Sequence, residues 1–273
     1  MDWMSLPEEY TTKNSKFIIL PIPYEKDVTY GQGASKGPSE IIKASKHLEY
    51  YDDQFDCEPF ENGIQLLKPV SGETPEEMIQ NVQDIVKEHN DKFIIGIGGD
   101  HAVTLGLTKH LDDNTSIIQF DAHADFRDSW NNSSLNHACV ARQLAKKHSI
   151  LQIGIRSMDI DEKRLLEQAN NVHTISAYNY SIEKVQELLL RLKDKVYITI
   201  DVDVFDPSFM RNTGTPEPGG LTWNNVINTL KLIFENKTVI GADVCEFAPN
   251  YNFESEAYAL AKLIYKIMAM KKK

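Results

Sequence analysis

Three side chains that commonly bind metal ions stand two residues apart at the end of an apolar run, in the stretch SIIQFDAHAD. They are Asp121, His123 and Asp125. In an extended segment, residues two apart point to the same side, so these side chains converge on one spot where the predicted strand ends. Grouping Asp and His near a core is unfavourable unless a cation compensates. We therefore interpret this stretch as one half of a metal site.

Two other predicted strands end in residues of the same kind. Asp100 and His101 follow one strand, where His101 could instead be a core histidine or part of a helix start. Asp201 and Asp203 end another strand, where they could instead form a turn. In an open parallel sheet, ligands bind beyond the carboxyl ends of the strands. Three strand ends with this chemistry therefore favour a shared metal site over the structural alternatives.

The candidate ligands form an oxygen-rich set without thiolate. They are His101, Asp121, His123, Asp125, Asp201 and Asp203. Four carboxylates and two imidazoles exceed what one ion in a protein site normally uses, so two ions that share carboxylates fit better. Such a set favours manganese over magnesium, iron, cobalt or zinc. Two close cations lower the pKa of a bridging water, which predicts hydrolysis by a metal-bound hydroxide.

Apolar strands alternate with helices along the chain, which predicts an α/β fold with a mostly parallel sheet covered on both faces. The predicted strands are residues 16–23, 92–97, 116–120, 150–156, 172–175, 196–200 and 238–244. The predicted helices are residues 39–51, 74–90, 101–111, 136–148, 161–170, 181–193, 223–236 and 254–270. Residues 29–38 form a Gly-rich loop and residues 58–71 are irregular. Because no linker or repeat interrupts the pattern, we expect one domain over residues 1–273.

Composition excludes several classes of function. The net charge of −11 argues against a nucleic-acid-binding surface and suits a cationic ligand, although solubility alone would also explain it. Three widely spaced cysteines, Cys57, Cys139 and Cys245, disfavour a disulfide framework and a thiolate zinc site. No apolar run approaches membrane-spanning length, and the N-terminus lacks the pattern of a signal peptide. We therefore expect a cytoplasmic protein without a membrane partner.

The metal-site motifs resemble those of the ureohydrolase family of arginases and agmatinases. The resemblance covers most of the chain and rests on GIGGDHAVTLG, QFDAHADFRD, ITIDVDVFDPS, TYGQGASKGPSEI, TGTPEPGGLTW and GADVCEFAP. It implies an arginase-like three-layer α/β/α fold with two Mn²⁺ ions. One ion would be held by His101, Asp121, Asp125 and Asp201. The other would be held by Asp121, His123, Asp201 and Asp203, so that Asp121 and Asp201 bridge and Asp125 also orients the hydroxide.

The resemblance also gives roles to residues that chemistry alone would leave as structural. His137, which otherwise reads as a helix-start histidine, would transfer a proton to the leaving amine. Glu246, which chemistry alone would place as a surface glutamate, would form a bidentate, charge-assisted pair with a guanidinium. Asp243 would support the ligands, and Arg156 would be structural or lie at a subunit contact. The family further implies a homo-oligomer, a trimer or a hexamer.

Members of this family differ in the chemical group that their substrate carries at the end away from the guanidinium. The segment RDSWNNSSLNHAC departs from the arginase-like pattern, and DAHADFRD with PEPGGLTW looks more like prokaryotic agmatinases. We therefore expect agmatine to be cleaved to putrescine and urea, a step of polyamine biosynthesis. Arginine, guanidinobutyrate and formiminoglutamate stay alternatives, partly because the sequence Met210-Arg211-Asn212 is unusual. The basic side chain there could alter the pocket or face solvent.

Two other classes of protein were weighed. A non-catalytic ureohydrolase-like partner protein would be free to lose the candidate ligands together with His137 and Glu246, yet all are present. A deacetylase-type hydrolase with one zinc ion would not need His101 and Asp203. Both observations favour a two-metal hydrolase.

Overall fold

The computed structural model describes residues 2–250 and 254–271, and its centre is one eight-stranded sheet in which every neighbouring pair of strands is parallel. The strands are β1 (Phe17–Ile22), β2 (Ile64–Leu66), β3 (Phe93–Gly98), β4 (Thr115–Phe120), β5 (Ile150–Ile155), β6 (Val172–Ser176), β7 (Lys195–Asp201) and β8 (Thr238–Cys245). Their order across the sheet is β2-β1-β3-β8-β7-β4-β5-β6. The prediction of a mostly parallel sheet is thus confirmed.

Helices cover both faces of this sheet. They are α1 (Gly37–Ser45), α2 (Pro75–Glu88), α3 (Val103–Thr108), α4 (Val140–Leu144), α5 (Ile160–Gln168), α6 (Ile182–Leu189), α7 (Trp223–Asn236) and α8 (Ser255–Lys271). Alternate residues of β1 enter different hydrophobic clusters. Phe17 and Ile19 belong to the cluster that includes residues of α1, α6, α7 and α8, whereas Ile18 and Leu20 belong to the cluster that includes residues of α2, α3, α4 and α5. This alternation confirms the predicted three layers.

Local sequence signals account for the helix starts. Thr74 accepts a 3.2 Å hydrogen bond from the backbone N–H of Glu77, and Pro75 takes the first position of α2. Thr222 and Asn225 cap α7 reciprocally. Within the part of the chain that the structure describes, no helix is both long and apolar enough to span a bilayer.

The prediction that residues 58–71 are irregular is wrong at Ile64–Leu66, which form the edge strand β2 beside β1. Three residues are too few to carry a recognisable strand pattern. Several predicted helices are also too long: α1 ends at Ser45, and α4 begins only at Val140. The residues before it, His137–Cys139, form a 3-10 turn, because Cys139 leaves the helical region with φ −122° and ψ 0°.

The strand order determines where the candidate residues meet. The strands β3, β8, β7 and β4 are consecutive neighbours at the middle of the sheet. Their carboxyl ends lead into His101, Glu246, Asp203 and Asp121. Because all four strands run in the same direction, these residues gather at one edge of the sheet.

Candidate metal centre and adjoining cavity

One histidine and three carboxylates form the first part of the candidate centre. The Nδ1 atom of His101 lies 3.2 Å from Asp121 Oδ2 and 3.0 Å from Asp125 Oδ2. It also lies 3.6 Å from Asp201 Oδ2. All four residues are buried. These atoms could hold one cation between them.

A second group adjoins the first and shares Asp121. The Nδ1 atom of His123 lies 2.8 Å from Asp203 Oδ2 and 3.8 Å from Asp121 Oδ1. Asp201 is linked to the same group, because its Oδ1 accepts a 2.9 Å hydrogen bond from the backbone N–H of Asp203. The structure therefore brings all six candidate ligands together, with Asp121 between the two groups. Their roles as ligands stay a prediction.

The orientation of His101 fits a cation. Its Nε2 lies 2.9 Å from Thr199 Oγ1, and Thr199 donates its own proton to Asp243 Oδ1 at 2.8 Å. Nε2 therefore carries a proton, and Nδ1 faces the surrounding carboxylate oxygens. Burial opposes a charge on this ring, yet its acidic neighbours raise the pKa of His101 well above its usual value, so a metal ion would bind in place of a proton on Nδ1. Despite these short separations, Nδ1 has no hydrogen bond to any described residue. A metal ion would give this buried nitrogen a partner, and the partner on the other nitrogen is the usual support for a metal-bound histidine.

The predicted role of Asp243 as a support agrees with this geometry. Its Oδ2 accepts a 2.8 Å hydrogen bond from Tyr197, and Thr104 also donates to it. Sequence reasoning missed Thr199 and Tyr197. The available signal was polar residues at alternate positions of an otherwise apolar strand that leads into Asp201.

The backbone around D-x-H-x-D differs from the expectation. β4 ends at Phe120, so Asp121, His123 and Asp125 lie in a loop rather than in an extended segment. Asp125 adopts a left-handed conformation with φ +48°, which Asp tolerates better than most residues. Asp121 Oδ1 accepts a 2.6 Å hydrogen bond from the His123 N–H, which closes the turn. The predicted convergence is confirmed, but a turn rather than strand pleating produces it.

The electrostatics of the cluster call for added positive charge. Burial raises the pKa of Asp121 to about 7, with the charges of Asp125 and Asp203 adding to the effect. Burial and the neighbouring Asp203 likewise raise the pKa of Asp201 well above its usual value. Burial opposes the charge on His123 as well, yet the facing Asp203 raises the pKa of that imidazole to about 10. Without a cation, the carboxylates repel one another in a poorly solvated place.

A buried thiol also lies next to the centre. Ligand atoms of His101, Asp201 and Cys245 lie within 4.8 Å of one another. Burial raises the pKa of the Cys245 thiol well above its usual value, so the sulfur stays protonated. A neutral thiol is a poor metal ligand.

A cavity of about 360 Å³ opens beside the candidate centre. The residues that matter for its chemistry are His123, Asp125, Asp203, His137, Glu217 and Glu246. The cavity therefore joins the candidate ligands to both predicted catalytic residues.

Glu246 faces this cavity in a constrained conformation. Its φ is +66°, and its backbone N–H donates to the Gly99 carbonyl at 2.7 Å. Its Oε1 accepts a 2.7 Å hydrogen bond from the His101 N–H, while Oε2 points towards Gly214. Burial, followed by the charge of Asp100, raises the pKa of Glu246 well above its usual value. An incoming cation would favour the ionised carboxylate, with Oε2 as the freer of the two oxygens.

His137 lies on another wall of the cavity. Its Nε2 is 3.0 Å from Thr29 Oγ1, and its Nδ1 has no hydrogen-bond partner among the described residues. Burial lowers the pKa of His137, so the imidazole is neutral near pH 7. Sequence reasoning missed Thr29, which lies in the Gly-rich loop. That loop reaches the cavity through a 2.8 Å hydrogen bond from the Gly31 N–H to the Gly214 carbonyl.

Arg156 and Arg211 were assigned alternative roles from sequence. Arg156 Nη2 donates to the carbonyls of Asp203 and Glu217, each at 2.7 Å, which supports the structural role. Arg211 does not line the cavity, and half of its side chain is exposed. Its backbone N–H donates to Glu256 Oε1 at 2.9 Å. Of the two alternatives for Arg211, the solvent-facing one is therefore correct.

Known proteins resemble this chain over nearly its whole length. N(1)-aminopropylagmatine ureohydrolases of Synechocystis sp. and Thermus thermophilus are 35% and 34% identical, over 92% and 95% of this chain and 87% and 91% of theirs. An agmatinase of Pyrococcus horikoshii is 33% identical over 94% of this chain and 93% of its own. The crystal structure of the agmatine ureohydrolase of Thermoplasma volcanium superposes with a TM-score of 0.88 at 29% identity, over 95% of this chain and 90% of that one. Residues 15–270 match the sequence profile of the Arginase family, and the chain belongs to that family.

Proposed function

We propose that this chain is a manganese-dependent ureohydrolase that cleaves agmatine to putrescine and urea. The observation that carries the proposal is the cavity, in which a carboxylate for a guanidinium, Glu246, adjoins the cluster of His and Asp. Relatives that share about a third of the sequence are named for agmatine or for its aminopropyl derivative.

The donor set fits two divalent ions. His101, Asp125 and Asp121 would hold one ion, and His123 and Asp203 with Asp121 the other, with Asp201 bridging. Two imidazoles among carboxylate oxygens favour manganese. When bound, the ions would supply a water of lowered pKa, whose oxygen forms the new C–O bond to the guanidinium carbon.

The protein's own side chains would do the remaining work. Glu246 orients the guanidinium through a charge-assisted pair, which places the carbon beside the metal cluster. The C–N bond to the alkyl nitrogen breaks, and that nitrogen must gain a proton to leave as an amine. His137 would carry this proton, because its imidazole lines the same cavity and burial lowers its pKa, so that it can accept a proton and pass it on.

N(1)-aminopropylagmatine is a second candidate substrate, since relatives with 34–35% identity carry its name. It contains the guanidinium and tetramethylene chain of agmatine, so the same site would cleave it to urea and a longer polyamine. The cavity extends to Met158, which is 39% exposed, so the added aminopropyl group could reach towards solvent.

The assembly and location belong to the same proposal. We expect a homo-oligomer, a trimer or a hexamer, on the basis of the family. Cys139 and Cys245 form no disulfide, which suits the proposed location in the cytoplasm. Light scattering coupled to size exclusion would give the number of subunits.

The test is urea release by manganese-loaded protein. Agmatine, N(1)-aminopropylagmatine, arginine and guanidinobutyrate would be compared at equal concentration. We expect urea from one or both of the first two, and kcat/KM reduced by about 10- to 100-fold in Glu246→Gln, which keeps the shape but loses the charge. Preference for arginine or guanidinobutyrate, or an unchanged Glu246→Gln variant, would overturn the substrate assignment.

A further inference from the structure

Glu217 lies in the same cavity as the candidate catalytic residues, and no role has been assigned to it so far. Resting on the proposed function, we propose that Glu217 determines specificity by binding the cationic nitrogen at the far end of the substrate's tetramethylene chain.

The position of Glu217 is tied to the candidate metal centre. Arg156 Nη2 donates to the carbonyls of Asp203 and Glu217, each at 2.7 Å, and thereby clamps the loop to the end of β7. Prolines precede and follow Glu217 and restrict the loop further. A loop held in this way keeps the Glu217 carboxylate at a fixed distance from the guanidinium end of the cavity. A site needs such a fixed distance if it is to select substrates by their length.

The carboxylate of Glu217 is available for a ligand. Its Oε1 accepts a 3.0 Å hydrogen bond from Ser157 Oγ, which orients the group. Within residues 2–250 and 254–271, no donor contacts Oε2, and no lysine or arginine side chain forms an ion pair with this carboxylate. Arg156, which donates to the Glu217 carbonyl, directs all of its hydrogen bonds to main-chain carbonyls.

Other acidic residues of the cavity are already paired. Arg127 forms ion pairs with Asp159 and Glu162, the second at 3.4 Å. Both acids also cap α5, which leaves them few free acceptor sites. Glu246 is assigned to the guanidinium. Among the described residues that line the cavity away from the metal centre, Glu217 is thus the carboxylate that forms no ion pair with a lysine or an arginine.

This arrangement distinguishes the candidate substrates. Agmatine and N(1)-aminopropylagmatine carry a cationic nitrogen at the same place on the chain, and a carboxylate would bind either through a charge-assisted hydrogen bond. Guanidinobutyrate carries a carboxylate at its far end, which Glu217 would repel. Arginine brings a carboxylate next to its amine and gains less.

The test compares agmatine with butylguanidine, which has the same guanidinium but an uncharged end. We expect Glu217→Gln to raise KM for agmatine roughly tenfold or more. Its kcat should change little, and its kinetics with butylguanidine should match those of the wild-type protein. Glu49→Gln, at an exposed position after α1, is the control and should change neither.

The outcomes separate this inference from the proposed function. Equal losses on both substrates, or no change on agmatine, would overturn the role of Glu217 while leaving the urea-releasing activity in place. Absence of urea from both substrates with the wild-type protein would overturn the proposed function and the inference together. The charge reversal Glu217→Lys adds a second check, because it should shift preference towards guanidinobutyrate.

Discussion

At the scale of single residues, the candidate centre depends on which nitrogen of His101 carries the proton. Thr199 fixes a proton on Nε2, because its hydroxyl donates to Asp243 and can therefore accept from Nε2 but not donate to it. The free Nδ1 then faces the carboxylates. A residue outside the ligand set thus controls the ligand.

Replacing Thr199 with valine tests this control. The variant keeps the shape but removes the acceptor for Nε2, so we expect manganese affinity to fall by about 10- to 100-fold. Competition with a metal indicator would measure it. The control is Thr238→Val, at the exposed start of β8, which should bind manganese as the wild-type protein does. Equal affinities in all three proteins would contradict the account.

Sequence reasoning reached the candidate ligands and Asp243, but not the threonines Thr199 and Thr29. Asp121, His123 and Asp125 are recognisable because their types and spacing are unusual. Thr199 and Thr29 are not, because a threonine in a strand or loop is ordinary. Their importance comes from partners such as His101, which only the fold brings within reach.

At the scale of elements, the four adjacent strands β3, β8, β7 and β4 gather the site, and loops complete it. Alternation of strands and helices predicted the parallel sheet. The edge strand β2 was not predicted, and the helix at α4 was predicted too long, because three to five residues carry too little periodicity. Gly99 belongs to this junction: a Cβ there would collide with the Tyr24 carbonyl.

Arg156 links these loops, and Arg156→Lys tests the link. Lysine keeps the charge but cannot reach several carbonyls at once, so the loops around Asp203 and Glu217 should loosen. We expect the free energy of unfolding to fall by about 1–3 kcal/mol and urea release to drop. Calorimetry and the urea assay would measure these changes. A variant with normal stability but altered subunit number would instead support the subunit-contact role.

At the scale of the whole molecule, the carboxylate cluster links metal binding to stability. Asp121 and Asp201 have raised pKa values in the folded protein, so folding favours their protonated forms. Their contribution is therefore fully present below the pKa of the unfolded carboxyl and is lost as pH rises through about 7. Against the effect of burial, His123 lowers the pKa of Asp203. The contribution of Asp203 to stability therefore changes with pH only in the acid range.

The melting temperature of metal-free protein should therefore fall between about pH 5 and about pH 8. In the proposed centre, manganese would bind the deprotonated carboxylates, so its stabilising effect should grow over the same range. Differential scanning fluorimetry with and without a chelator would measure both. In the Asp121→Asn variant, the melting temperature of the metal-free protein should depend less steeply on pH. A manganese effect that does not vary with pH would contradict this linkage.

The central claim is that six side chains hold two metal ions and that these ions are needed to release urea. The most direct measurement is the manganese content per chain, determined together with urea release from agmatine, for the wild-type protein and for Asp203→Ala. The account predicts two ions per wild-type chain, and fewer ions with loss of activity in the variant. One ion per chain in a fully active protein, or full activity in a variant depleted of manganese, would contradict it.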